Sequence, residues 1–148
     1  MTRDIKPRTS AEHGYVLDEQ IGFLLRKAYQ RNSTIFLNRV PGNLTTTQFS
    51  VMHRLAEDGP VSQNRLGRSV AMDGATTKGV VDRLIARGLL ATRRDPQDRR
   101  RHLVSLTPEG VALIDEAVEA AIRVTAETLE PLREKEKETL LRLLAKII

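Results

Sequence analysis

The chain has 148 residues, enough for one hydrophobic core and too few for two full domains. With 24 basic and 19 acidic residues its net charge is +5 and its pI is near 10.0, which points to an anionic partner such as nucleic acid or a membrane surface. The absence of cysteine excludes disulfides, thiolate zinc sites, thiol nucleophiles and thiol redox switches, and the low aromatic content, 3% with no Trp, argues against stacking platforms for single strands.

In chain order, residues 1–15 read as an extended arm whose charged and polar start does not resemble a secretory leader, so a cytoplasmic home is expected. From about Val16 to Asn38 the residues Leu17, Ile21, Leu24, Leu25, Ala28 and Tyr29 recur at spacings of three and four, as one helical face requires, and Pro41-Gly42 stops that helix. Thr45 followed by Gln48 is a capping box, each side chain satisfying the other residue's free backbone N–H. It opens a second helix whose predicted buried stripe is Phe49, Met52, Leu55 and Ala56, ended by Gly59-Pro60. Ser62 caps a short third helix carrying Leu66, and Asp73 caps a fourth that runs to Arg87, with Gly88 as its left-handed stop. The fourth helix turns Val81, Leu84 and Ile85 inward and keeps Thr76, Thr77, Lys78 and Arg83 off that face. Two short helices so joined form a helix-turn-helix pattern.

Leu89–Thr92 and Leu103–Leu106 then read as two short strands. The basic stretch between them opens with Asp95-Pro96, which suits a type I turn, so the hairpin reads as a wing. Thr107-Pro108 starts a fifth helix through Val111, Ile114, Val118, Ala121 and Ile122. A break near Glu130-Pro131 precedes a last helix with the stripe Leu140, Leu141, Leu144 and Ile147. The predicted fold class is mainly α with a small β-hairpin: a winged helix-turn-helix module over 44–106, flanked by helices in 16–43 and 107–148. These flanking stripes exceed what so small a module covers, and a homodimer buries the surplus more economically than a hairpin closing on itself. No apolar run approaches the ~20 residues of a membrane span.

Divided along these elements, residues 1–59 hold 8 basic and 6 acidic groups, 60–102 hold 10 and 4, and 103–148 hold 6 and 9. The excess positive charge sits in the predicted winged module, where DNA docking would place it; a merely solvated basic surface is the alternative. Base readout in a helix-turn-helix falls to the exposed N-terminal turns of its second helix, here Gly74, Ala75, Thr76, Thr77, Lys78 and Gly79. The two threonines offer hydroxyls and methyls to base edges, and Lys78 can reach guanine acceptors or a phosphate. Gly79 costs about 1 kcal/mol inside a helix relative to Ala, so close approach to DNA or packing against the second helix must require it. Ser62, Gln63 and Asn64 open the preceding helix, where free backbone N–H groups and polar side chains suit phosphates.

The histidines His13, His53 and His102 are far apart in sequence, and no nucleophile–base motif, phosphate-cradling glycine loop or metal-ligand spacing accompanies them. No catalytic residue, metal or cofactor is therefore assigned. The competing function is a winged helix used for DNA or protein contact without small-molecule control.

Leu44-Thr45-x-x-Gln48, Gly59-Pro60, Val81-Asp82-Arg83-Leu84, Arg87-Gly88-Leu89, Asp95-Pro96-x-Asp98-Arg99-Arg100 and Leu106-Thr107-Pro108-x-Gly110 together resemble the multiple antibiotic resistance regulator (MarR) family, over about residues 16–148. The resemblance implies a winged-helix homodimer joined through its first and last helices. It also implies binding to pseudo-palindromic double-stranded operators, often released by a small phenolic or carboxylate ligand. A narrower similarity, in the stretches 15–22, 62–68 and 71–81, is to repressors of nicotinate catabolism within that family. The implied effector is then a small aromatic or heterocyclic acid, of nicotinate type in that branch. By the same resemblance Arg100 occupies the position that enters the minor groove, with Asp98 orienting it through an ion pair, while Arg99, Arg101 and His102 touch phosphates or face solvent. The implied effector crevice lies between the dimerisation helices and the winged module. A carboxylate there wants an Arg or His, and Arg26, Arg31 and His53 qualify, with Tyr15 and Phe49 as aromatic neighbours. His53, near an apolar helix face, suits a packed or surface position better than a ligand contact.

Overall fold

The computed structural model describes residues 5–148, so the first four residues of the predicted arm lie outside it. The chain divides into two compact units, one ending at Arg31 and one running from Asn32 to Ile148.

In the first unit the arm is not simply extended. A one-turn helix, α1 (Ser10–His13), starts where the Thr9 backbone N–H and hydroxyl both donate to the Glu12 carboxylate, and it stops at Gly14, whose φ of 72° is left-handed. A 3₁₀ turn follows over Leu17–Glu19, and Gln20 is extended. The long helix α2 (Ile21–Arg39) therefore begins at Ile21 instead of Val16. The spacing rule carried Leu17 into the helix because a 3₁₀ turn preserves a near-helical interval between apolar residues. Ile21, Leu24, Leu25 and Tyr29 are exposed.

In the second unit Ile35, Phe36 and Val40, at and just beyond the end of α2, join the core. Helix α3 (Thr46–Asp58) starts at the predicted capping box: the Gln48 N–H donates to Thr45 Oγ1 at 3.1 Å and the Thr45 N–H donates to Gln48 Oε1 at 3.0 Å. Its buried stripe is Val51, Met52 and Leu55, with Phe49 only partly covered and Ala56 exposed, so the predicted stripe was turned away from Val51. Strand β1 (Val61–Ser62) leads into α4 (Gln63–Ser69), and α5 (Gly74–Ala86) follows a short turn. Gly88, with φ 74°, supplies the predicted left-handed stop.

Strands β2 (Leu90–Arg94) and β3 (His102–Leu106) form the wing, paired antiparallel from Leu90↔Leu106 to Arg94↔His102. The ladder reaches into the basic segment that was read as turn. Strand β1 adds a third member, Val61↔Val104 and Ser62↔Leu103, giving the order β1-β3-β2 where a two-stranded hairpin was expected. Two residues leave too little alternation to be legible as a strand.

Helix α6 (Pro108–Thr128) is capped by Thr107, whose Oγ1 accepts the Gly110 N–H at 3.0 Å. It buries Ile114, Ala117, Ala120 and Val124 and exposes Val111 and Ile122, a stripe rotated from the predicted one toward the small alanines, which give a weak hydrophobic signal in the sequence. Gly110 is required here, since a Cβ would collide with the Leu89 carbonyl. The last helix, α7 (Glu134–Lys146), buries no residue; Leu140, Leu141, Leu143 and the following Ile147 are exposed. Among the described residues no helix is long and apolar enough to cross a membrane.

Candidate nucleic-acid interface

Helix α5 is fixed at its start by Asp73. One carboxylate oxygen accepts the Thr76 N–H at 2.7 Å and the other accepts the Thr76 hydroxyl at 2.9 Å. These hydrogen bonds favour the ionised carboxylate and hold its pKa below the ordinary value. Gly74, Ala75, Thr76 and Lys78 are exposed along the first turns of α5, as expected for base-facing positions.

Thr77 departs from that expectation. Its side chain is fully buried, and its hydroxyl donates to the Asp73 carbonyl at 2.7 Å. It shares the inner face of α5 with Val80, Val81 and Leu84, and a Cβ at Gly67 would lie only 2.8 Å from its Oγ1. Thr77 thus sets how closely α4 approaches α5 and is not offered to a base. Lys78 is tied to Asp82 by a 2.6 Å ion pair. At Gly79 the three atoms nearest to an added Cβ all belong to the Arg83 guanidinium, the closest at 3.5 Å, an ordinary van der Waals contact. The far end of α5 is anchored by Arg87, whose guanidinium donates to the carbonyls of Gly42 and Asn43 in the α2–α3 turn. Nothing in the periodicity of the sequence signals that tie.

Ser62 caps α4 with its Oγ accepting the Arg65 N–H at 3.4 Å. The wing folds back on this corner: Ser62, Gln63 and Asn64 line one cleft of about 290 Å³ together with Arg100, Arg101 and His102. Two segments separated by more than thirty residues thereby pool N-terminal helix donors with cations. At the wing tip the predicted Asp98–Arg100 ion pair is replaced by a backbone contact, the Arg100 N–H donating to Asp98 Oδ1 at 3.0 Å. Asp98 therefore shapes the turn and forms no ion pair with the Arg100 guanidinium among the described residues. The wing's ion pair joins Arg101 to Asp95, at 3.5 Å. Asp95 is 9% exposed, and its Oδ1 accepts the Gln97 N–H at 2.9 Å. The Asp95 N–H also donates to the Arg101 carbonyl at 2.9 Å and closes the loop. Arg99 and Arg100 are exposed.

The predicted effector residues fall on both units. Tyr15, Arg26 and Arg31 belong to the first and are exposed. Phe49 and His53 belong to the second, where their rings stack with centroids 5.9 Å apart, and Phe49 meets Phe36 edge-on at 5.4 Å. Both line a pocket of about 390 Å³ between α3 and the end of α4, together with Arg54, Glu57 and Ser69. Arg54 was missed by the sequence reading. Its Nε donates to the Ser69 carbonyl at 3.1 Å and it pairs with Glu57 at 3.2 Å, while His53 Nδ1 stands 3.8 Å from the same Glu57. Among the described residues no group of three His, Asp or Glu side chains could hold a metal ion.

Residues 44–102, from the residue before the α3 cap to the first residue of β3, match the MarR family. The HTH-type transcriptional repressor NicR of Pseudomonas putida is 41% identical over 135 residues, covering 90% of this chain and 85% of that protein. The chain belongs to the MarR family. Its backbone matches that of a probable transcriptional regulator from Pseudomonas aeruginosa with a TM-score of 0.87 at 50% identity, over 90% of this chain and all of that one. It also matches BpsR of Bordetella bronchiseptica, whose DNA binding is regulated by 6-hydroxynicotinic acid, with a TM-score of 0.83 at 43% identity over 90% and 96% of the two chains. In this MarR-family chain the wing is the β1-β3-β2 sheet and the helix-turn-helix is α4–α5.

Proposed function

We propose that this chain is a ligand-responsive transcriptional repressor that binds a pseudo-palindromic operator as a homodimer and releases it when a small aromatic or heterocyclic acid binds. The observation that carries the DNA half of this reading is the cleft in which Ser62, Gln63 and Asn64 meet Arg100, Arg101 and His102. Helix N-terminal donors and guanidinium groups together are the chemistry that phosphates select. Gly74, Ala75, Thr76 and Lys78 on α5 would face the major groove, and Arg100 on the wing would enter the minor groove, with Arg99 beside it on the backbone. The DNA-binding module would run over 44–106, with 16–43 and 107–148 supplying the dimer. The exposed apolar stripes of α2 and α7 support that division, since two copies can bury them against each other. A cytoplasmic place follows for a protein that works on the chromosome.

The effector half is supported by NicR and by the regulation of BpsR by 6-hydroxynicotinic acid. The ring of a nicotinate-type acid would find stacking partners in Phe49 and His53. The test is selection of duplexes from a random library by the purified protein. Enrichment of an inverted repeat with half-sites about one DNA turn, ~10 bp, apart supports the reading. Retention of duplexes without a common motif would reduce the protein to a non-specific DNA binder.

A further inference from the structure

The outward side of α5 carries a cation that the motifs did not assign. Arg83 is exposed, makes no ion pair among the described residues, and lies seven positions after Thr76. Seven residues are about 20° short of two helical turns, so Arg83 and Thr76 share a face, about 10 Å apart along the axis. Helical side chains lean toward the N-terminus, and here the guanidinium does so: its nitrogens would stand 3.5 and 3.6 Å from a Cβ at Gly79. It therefore lies beside Gly79, one turn nearer the N-terminal readout positions than its own Cα. The other cation on this stretch of α5, Lys78, is held by Asp82 at 2.6 Å. The pair is a neutral unit, and the guanidinium remains free to engage a base.

We propose that Arg83, whose guanidinium lies beside Gly79 on the outward face of α5, is a base-reading residue of this protein and donates both arms of its fork to the N7 and O6 of a guanine in each half-site. The fork geometry suits two acceptors on one base edge, which a lysine cannot match. This rests on the DNA-binding reading above.

The test compares wild type with Arg83→Ala and Arg83→Lys, on the duplex that wild type enriches and on a scrambled duplex of the same length. Arg83→Ala should weaken binding to the enriched duplex by about 5- to 100-fold, barely change binding to the scrambled one, and on reselection lose the preference for guanine at one position of each half-site. Arg83→Lys should keep the affinity for scrambled DNA without restoring that preference. Because Arg83 is exposed, both variants should melt with wild type. An unchanged reselected motif would overturn the assignment, as would an equal loss on both duplexes, which marks a phosphate contact only. Failure of wild type to enrich any motif would instead refute the DNA reading itself, and this inference with it.

Discussion

Thr76 and Thr77 carry the same hydroxyl and differ by 100° of helix rotation, which places one in solvent and the other in the core. Thr76 spends its O–H on Asp73 and keeps its acceptor sites and methyl for a partner, while Thr77 spends its own on the Asp73 carbonyl. Thr77→Val keeps the shape and loses the bond. It should lower stability by about 1 kcal/mol, seen as a reduced melting temperature, and leave the affinity of the folded protein for its selected duplex unchanged; a large loss of affinity at equal folded fraction would return Thr77 to base readout. Arg100 is the opposite case, exposed on a turn that Asp98 shapes through the backbone. Arg100→Ala should weaken operator binding by about 1–3 kcal/mol in a gel-shift titration, and Asp98→Ala should weaken it less, because the turn stays closed through Asp95 and Arg101.

At the scale of elements, the start of α5 depends on the ionised Asp73. Its pKa is lowered by hydrogen bonds from the Thr76 N–H and hydroxyl. The folded value lies below that of the unfolded chain, about 3.9 for an ordinary Asp, so the cap's contribution is complete above that pH and is lost as pH falls through the folded value. Wild type should melt above Asp73→Ala at pH 7, and the gap should close below about pH 4; a gap constant down to pH 2 would show that the charge plays no part. The starts of α3, α4, α5 and α6 were legible in the sequence because each is a local pattern, Thr45 with Gln48, Ser62, Asp73, and Thr107 before Pro108, whereas α1 and the true start of α2 were not. What could not be read depends on distant residues. The two-residue strand β1 exists only because β3 lies beside it. The buried face of α6 runs through Ala117 and Ala120 and depends on what packs against it, α3 included, and the Arg87 tie reaches the carbonyls of Gly42 and Asn43 across the fold. The site was read in the same measure. Its residues were found as two segments, and their meeting in one cleft needed the sheet.

At the scale of the whole molecule, the charge and the apolar stripes make two demands. Helix α7 buries nothing within its own unit although Leu140, Leu141, Leu143 and Ile147 line it, and Ile21, Leu24 and Leu25 are exposed on α2. Sedimentation equilibrium should therefore give about twice the 16.6 kDa of one chain, and charged replacements such as Leu141→Glu with Ile147→Glu should shift it toward the monomer. The net charge of +6 in residues 60–102 demands an anionic partner, and binding should fall steeply with salt, by about 0.9 in log K per phosphate contact for each unit of log salt. The most direct measurement is an anisotropy titration of the selected duplex against its scrambled form, repeated with 6-hydroxynicotinate, nicotinate and benzoate. Salt-sensitive binding at least a thousandfold tighter on the selected duplex, abolished by one of these acids, is the predicted result; equal affinity for both duplexes, unmoved by every acid, would contradict a ligand-released repressor.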